Sequence, residues 1–257
     1  MPSERKTGDL ADALRSLGLY RTAEDLSDFV ARSTKGRWST VQILEEMTRA
    51  ETADRSRRSV ERRMSRAHLG RFKPLADFDW SWPKSIDRDA VERTMSLAFM
   101  ENGENVVLVA AQGLGKTMIA KNVAHAAVLA GRTALFVTAS DLLLDLGKQE
   151  GGRALERRLQ YYAQPHLLVI DEVGYLSYDN RAADLIFQIV SRRYERRSLV
   201  VTTNLAFADW PTVFPNAACA TALIDRLTHH AEIIPIGGES YRRREAEQAK
   251  KERRRGQ

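Results

Sequence analysis

Val106-Val107-Leu108-Val109-Ala110-Ala111-Gln112-Gly113-Leu114-Gly115-Lys116-Thr117 decides how the rest of this 257-residue chain is read. Its first five residues form a short, β-branched apolar run, which predicts a buried strand from Val106 to Ala110. From Lys116 to Ala130 the apolar residues follow helical spacing, and Gly131 just past the end is a helix stop. A glycine-bearing loop between a strand and a helix is the arrangement that phosphate binding needs. Backbone N–H groups at a helix N-terminus point at the anion, the helix dipole favours its charge, and glycines let the backbone approach closely. Ala110, Ala111, Gln112, Gly113, Leu114, Gly115, Lys116 and Thr117 are therefore the predicted nucleotide cradle. In such a cradle Lys116 reaches the β- and γ-phosphates and the Thr117 hydroxyl binds Mg2+. ATP with Mg2+ is the expected ligand. The loop departs from G-x-x-x-x-G-K-[ST] at its first position, where Ala110 stands for glycine, and that methyl is expected to narrow the loop geometry and weaken nucleotide binding.

Downstream, strands and helices alternate. Strands are predicted at Thr133 to Thr138, Leu167 to Asp171, Leu199 to Thr203 and Glu232 to Ile236, with helices at Ser140 to Lys148, Ala154 to Ala163, Ala182 to Tyr194 and Ala220 to His230. This order predicts an α/β fold whose parallel sheet is covered on both faces. Leu167-Leu168-Val169-Ile170-Asp171-Glu172 is an apolar strand ending in two carboxylates, and parallel strands deliver their C-terminal residues to the ligand crevice. Beside a phosphate loop, Asp171 takes a place in the Mg2+ shell and Glu172 orients and deprotonates the attacking water. Asn204, at the end of the next strand, either sets an amide beside the γ-phosphate or is an ordinary turn residue. Arg226 either neutralises charge on the transferring phosphoryl group or is a salt-bridged helix arginine, and on residues alone the second account is the plainer.

Upstream, residues to about Ala76 contain helical spacing and no strand pattern: Leu10, Leu14, Leu17 and Leu19, then Ala23, Leu26 and Phe29, then Val41, Ile43, Leu44 and Met47 behind Ser39 as an N-cap. The organisation expected is a helical N-terminal domain at 1–76, an ATPase domain at 77–245 and a basic tail at 246–257. Between Phe72 and Pro83 the alternation of Phe78, Trp80 and Trp82 predicts an extended linker packed onto the next domain.

The net charge of +6 is unevenly placed. Glu51 to Leu75 carries eight basic against three acidic residues, and Ser240 to Gln257 again eight against three, so the remainder is slightly acidic. Basic flanks on an acidic centre suit a polyanion partner, and Arg55, Arg58, Arg62 and Arg66 on one helix are the predicted nucleic-acid contacts. Taken alone, the tail reads first as a solvated, disordered segment, and the two basic stretches together favour nucleic acid. Hydrophobic residues at 43% and charged residues at 29% exclude a disordered or membrane-embedded composition. The single cysteine, Cys219, excludes an internal disulfide, no run approaches a bilayer-spanning length, and a cytoplasmic location is expected.

Asp171-Glu172-Val173-Gly174-Tyr175-Leu176, Thr202-Thr203-Asn204, Trp210, Asp225-Arg226-Leu227-Thr228-His229-His230 and Gly238-Glu239-Ser240-Tyr241-Arg242 follow the phosphate loop in order. In that order the chain resembles the IstB-like transposition helpers, AAA+ ATPases related to the DnaC helicase loaders and the DnaA initiators. The resemblance is strong from Val106 to Arg242. It implies an ATPase that assembles as a homo-oligomer on double-stranded DNA and stimulates strand transfer by a cognate transposase. It also implies that Asp171 and Glu172 are the Walker B pair, Asn204 the sensor and Arg226 an arginine finger acting across a subunit interface. The family usually has Gly-Pro where this chain has Ala110-Ala111. A helicase loader, or a DNA-binding module that holds ATP with impaired hydrolysis, is the alternative.

Overall fold

A computed structural model describes residues 2–175, 177–241 and 243–244, with side chains from residue 8 onward. Leu176, Arg242 and the basic tail at 246–257 lie outside the described residues. The chain forms two compact units, Met1–Arg62 and Arg63–Gln257.

The first unit holds α1 (Pro2–Ser16), α2 (Tyr20–Glu24), α3 (Leu26–Lys35) and most of α4 (Thr40–Ala67). Ser39 starts α4 as expected, in a reciprocal box: its hydroxyl accepts the Gln42 N–H at 3.3 Å while Gln42 Oε1 accepts the Ser39 N–H at 2.8 Å. The apolar core is small, with Ala23, Leu26 and Phe29 buried. Buried Glu51 supports it by accepting the Thr22 backbone N–H at 2.6 Å, which satisfies a donor in α2.

The second unit begins within α4, earlier than the expected boundary near Ala76. The last turn of that helix belongs to the α/β core: Arg63 Nε donates to the Val128 carbonyl at 3.2 Å, and Ala67 and Leu69 are buried in an apolar cluster with Ala120 and Val123. The strands are β1 (Ser85–Ile86), β2 (Asn105–Ala110), β3 (Ala134–Thr138), β4 (Leu167–Val173), β5 (Ser198–Thr203) and β6 (Ala231–Gly237). Between them run α5 (Arg88–Met95), α6 (Lys116–Leu129), α7 (Ala139–Gly147), α8 (Gly152–Ala163), α9 (Asn180–Arg193) and α10 (Ala217–Thr228). The sheet order is β1-β6-β2-β5-β4-β3, parallel except for β1 against β6.

Period-two alternation sorts the core. Val106 and Leu108 of β2 and Leu167 and Val169 of β4 face a cluster with α5 and α6, while Val107, Leu168 and Ile170 face one with α7 to α10. Each such aliphatic side chain removed from water contributes about 1.5–3 kcal/mol, so a one-residue slip of any central strand would be costly. The expected layered α/β class is the observed one. The aromatic linker differs from the extended segment its alternation suggested. Its residues hold a 3-10 turn at Leu75–Asp77 and a second turn in which Asp79 accepts the Ser81 N–H and hydroxyl.

Candidate functional site

β2 and β5 are neighbours in the middle of the sheet, and the chain leaves β2 directly into the phosphate loop. Gly113 at φ +78° and Gly115 at φ +87° adopt the left-handed conformation open to glycine, which turns the loop into the N-terminus of α6. Ala110 is the last residue of β2, with a buried methyl and no left-handed backbone. The steric reason for expecting it to distort the loop is therefore absent. Ala110→Gly is expected to change ATP affinity less than twofold and to lower stability by about 0.5–1 kcal/mol, the conformational cost of glycine in a strand. Nucleotide titration beside chemical denaturation measures both, and a tenfold tighter variant would reinstate the methyl as the limit on binding.

Lys116 is buried, with Nζ donating to the Ala110 and Ala111 carbonyls at 2.6 and 2.9 Å. Thr117 Oγ1 lies 3.1 and 2.9 Å from the two carboxylate oxygens of Asp171. Asp171, 3% exposed, also accepts a 2.5 Å hydrogen bond from Thr202 Oγ1, which in turn accepts the Glu172 backbone N–H at 2.9 Å. Thr202 thus ties the ends of β4 and β5 together. Sequence reasoning missed it, though a hydroxyl inside an apolar strand was the available signal.

At the end of β4 the register slips. Ile170 pairs with Val201 and Val173 with Thr203, so three steps on β4 match two on β5, and Glu172 has φ +63°. This bulge breaks the alternation that would have buried Glu172 and leaves its carboxylate exposed at the cavity wall. Asn204 reaches the same wall from β5, and its Oδ1 is buried without a hydrogen-bond partner.

The cavity encloses about 550 Å3, a size suited to a nucleotide. The phosphate loop from Gln112 to Thr117, Glu172 and Asn204 line it together with Phe72, Phe78, Trp82 and Pro83. Phe78 and Trp82 of the linker therefore line the predicted cradle, while Trp80 does not. Phe78 touches the loop closely enough that a Cβ on Gly115 would fall 2.5 Å from its ring. Lys73 and Lys121 bring further positive charge, and Tyr241 closes the rim.

Arg226, in the last turn of α10, donates to the Ala222 carbonyl at 3.1 Å, with its guanidinium 4.5 Å over the Phe187 ring. It does not line the cavity of its own chain. Arg55, Arg62 and Arg66 are exposed on α4 with no ion-pair partner among the described residues. Arg58 is engaged, 2.6 Å from Asp54 and 4.8 Å over the Tyr20 ring. The Arg57 hydrogen bond, with Arg58 beside it, holds the Asp54 carboxyl below its ordinary value.

Residues 12–249 match the family described as IstB-like ATP binding protein. The chain is 40% identical over 195 residues to an ATP-binding protein assigned to insertion sequence IS21 of Pseudomonas aeruginosa, covering 76% of this chain and 74% of that one. It is 35% identical over 233 residues to the one assigned to IS232 of Bacillus thuringiensis subsp. berliner, covering 91% and 93%. Among solved structures it is similar in fold to DnaI, with a TM-score of 0.52 at 20% identity over 65% of this chain and 92% of that one. It is also similar to the replication initiator DnaA bound to AMPPCP and single-stranded DNA, with a TM-score of 0.51 at 14% identity over 62% and 51%. The layered α/β fold described above is the one it shares with these structures. Among the described residues no helix is long and apolar enough to cross a membrane.

Proposed function

The chain belongs to the IstB-like ATP-binding protein family, and from that premise we propose that it is a DNA-stimulated ATPase serving an insertion-sequence transposase. The observation that carries the reading is the convergence of Lys116, Thr117, Glu172 and Asn204 on one nucleotide-sized cavity, with Asp171 hydrogen-bonded behind them. A Thr hydroxyl and a carboxylate within hydrogen-bond reach of each other are hard oxygen donors, which fit Mg2+. Thr117 and Asp171 would hold that ion, which supplies charge neutralisation on the phosphates. Lys116 binds the phosphates, Glu172 takes the proton of the attacking water, and Asn204 orients that water.

Arg226 lies outside its own chain's cavity, which favours action on a neighbouring copy and therefore a homo-oligomer. The names of the relatives place them in insertion sequences, which supports a transposase as partner. Double-stranded DNA is bound through the exposed arginines of α4 and the basic tail, by phosphate contacts with little sequence preference.

An ATPase assay across a DNA titration tests the reading. Turnover should rise with DNA and vanish in Lys116→Ala; DNA-independent turnover, or none at any DNA concentration, would overturn it. In the same protein, removing Arg55, Arg62 and Arg66 together should flatten the slope of log affinity against log salt by about 3. An unchanged slope would take DNA off that helix face.

A further inference from the structure

The segment that follows β6 crosses back to the phosphate loop and grips it beside the nucleotide cavity, whose lining includes Tyr241. Gly113 is left-handed, and a Cβ at that position would fall 2.1 Å from Ser240 Oγ, so the serine occupies the space that the missing side chain leaves. One residue further on, the Tyr241 backbone N–H donates to the Gly113 carbonyl at 2.9 Å. The segment is itself anchored, because Trp82 Nε1 donates to the Glu239 carbonyl at 2.8 Å and the Trp82 ring meets Tyr241 edge-on at 6.0 Å. Gly238, at φ +145°, passes so close that a Cβ would lie 3.0 Å from the Lys84 backbone nitrogen. Leu114 closes the same contact from the loop side.

The physical need for such a grip follows from the loop itself. A phosphate loop binds through backbone N–H groups that must all point one way before the anion arrives, and glycines at 113 and 115 give the unheld chain many other conformations. Ala110 and Ala111 impose no ring constraint on φ. A donor on the Gly113 carbonyl fixes the peptide plane between Gly113 and Leu114, and with it the direction of the Leu114 N–H. Restricting that plane in advance removes an ordering cost from nucleotide binding.

We propose that the 238–241 segment is a strap whose Ser240 side chain and Tyr241 backbone N–H are positioning groups for the phosphate loop, with Trp82 as their anchor. The strap preorganises Gly113 and so sets nucleotide affinity. This rests on nucleotide binding at the loop, which the same experiment tests separately.

Tyr241 opens a helical turn, where proline is tolerated, so Tyr241→Pro deletes the donor while Tyr241→Ala keeps it and removes only the ring. Binding of a fluorescent ADP, with deuterium uptake of the 111–118 peptide in nucleotide-free protein, reads both consequences. Tyr241→Pro should bind about five- to tenfold more weakly than Tyr241→Ala, the worth of one ordinary hydrogen bond, and its loop peptide should take up deuterium faster. Trp82→Phe, which lacks the indole donor, should shift both readouts in the same direction and serves if the proline variant does not fold. Equal affinity and equal uptake across these variants would overturn the strap. A wild type that binds no ADP would instead remove the nucleotide reading, and the uptake comparison would still decide the strap.

Discussion

Arg193→Met is expected to lower the stability of the α/β unit by about 3–5 kcal/mol, measured as the shift in a urea-denaturation midpoint at constant slope. The residue is 0% exposed at the end of α9, and among the described residues no carboxylate pairs with it. Its guanidinium instead donates to five backbone carbonyls: Tyr162 and Ala163 at the end of α8, Pro165 and His166 before β4, and Ser198 at the start of β5. Two of these belong to the carbonyls a helix leaves unsatisfied at its C-terminus, where the helix dipole also favours a cation. Burial, helped by Arg197, pulls the Arg193 pKa down to about 9, which still leaves it charged at neutral pH. Methionine fills similar volume but leaves five acceptors without this donor, two in buried and three in partly buried bonds, and each orphan costs on the order of 1 kcal/mol before relaxation. Lysine keeps the charge without the planar fork, so Arg193→Lys should recover less than half of the loss. A methionine variant within 1 kcal/mol of wild type would mean that water reaches these carbonyls.

Arg193 also shows where a sequence stops being readable. Arg192 and Arg193 are adjacent and chemically identical, yet Arg192 forms a two-pronged pair with Glu156 at 2.6 and 2.8 Å on the surface while its neighbour is the hub of a buried carbonyl cluster. Nothing local separates them; the helix phase and the closeness of α8, β4 and β5 do. The phosphate loop and the β4 strand were legible because their meaning is local: glycines between a strand and a helix, and carboxylates at the end of an apolar run. Thr202 was not legible because its partner Asp171 lies 31 residues away on a neighbouring strand, and only the β4–β5 register brings them together. The same holds for Tyr241 on Gly113. The aromatic linker was read correctly as packing against the following domain and wrongly as extended, since alternation alone carries no information about the turn that Asp79 makes.

Glu172→Gln and Glu172→Gly are expected to agree on hydrolysis and to part on stability. Both remove the carboxylate that exposed geometry and the bulge set at the cavity wall. Turnover should therefore fall by on the order of 10²–10⁴ in each, the usual worth of a positioned general base, with ATP binding retained. Glutamine keeps the backbone problem: a side chain at φ +63°, a conformation that costs an L-residue about 1 kcal/mol or more. Glycine adopts that conformation freely, so Glu172→Gly should be about 1 kcal/mol more stable than Glu172→Gln, apart from any change in the contacts of the side chain. The strain is held by neighbours that survive either substitution, since Thr202 Oγ1 accepts the backbone N–H of residue 172 whatever its side chain. A Gln variant turning over within tenfold of wild type would remove Glu172 from proton transfer. A Gly variant no more stable than the Gln variant would mean the bulge stores nothing, and the left-handed turn would then be a relaxed consequence of the β4–β5 register. If both expectations hold, the chain keeps a strained residue at this wall because relaxing the turn removes the group that acts there.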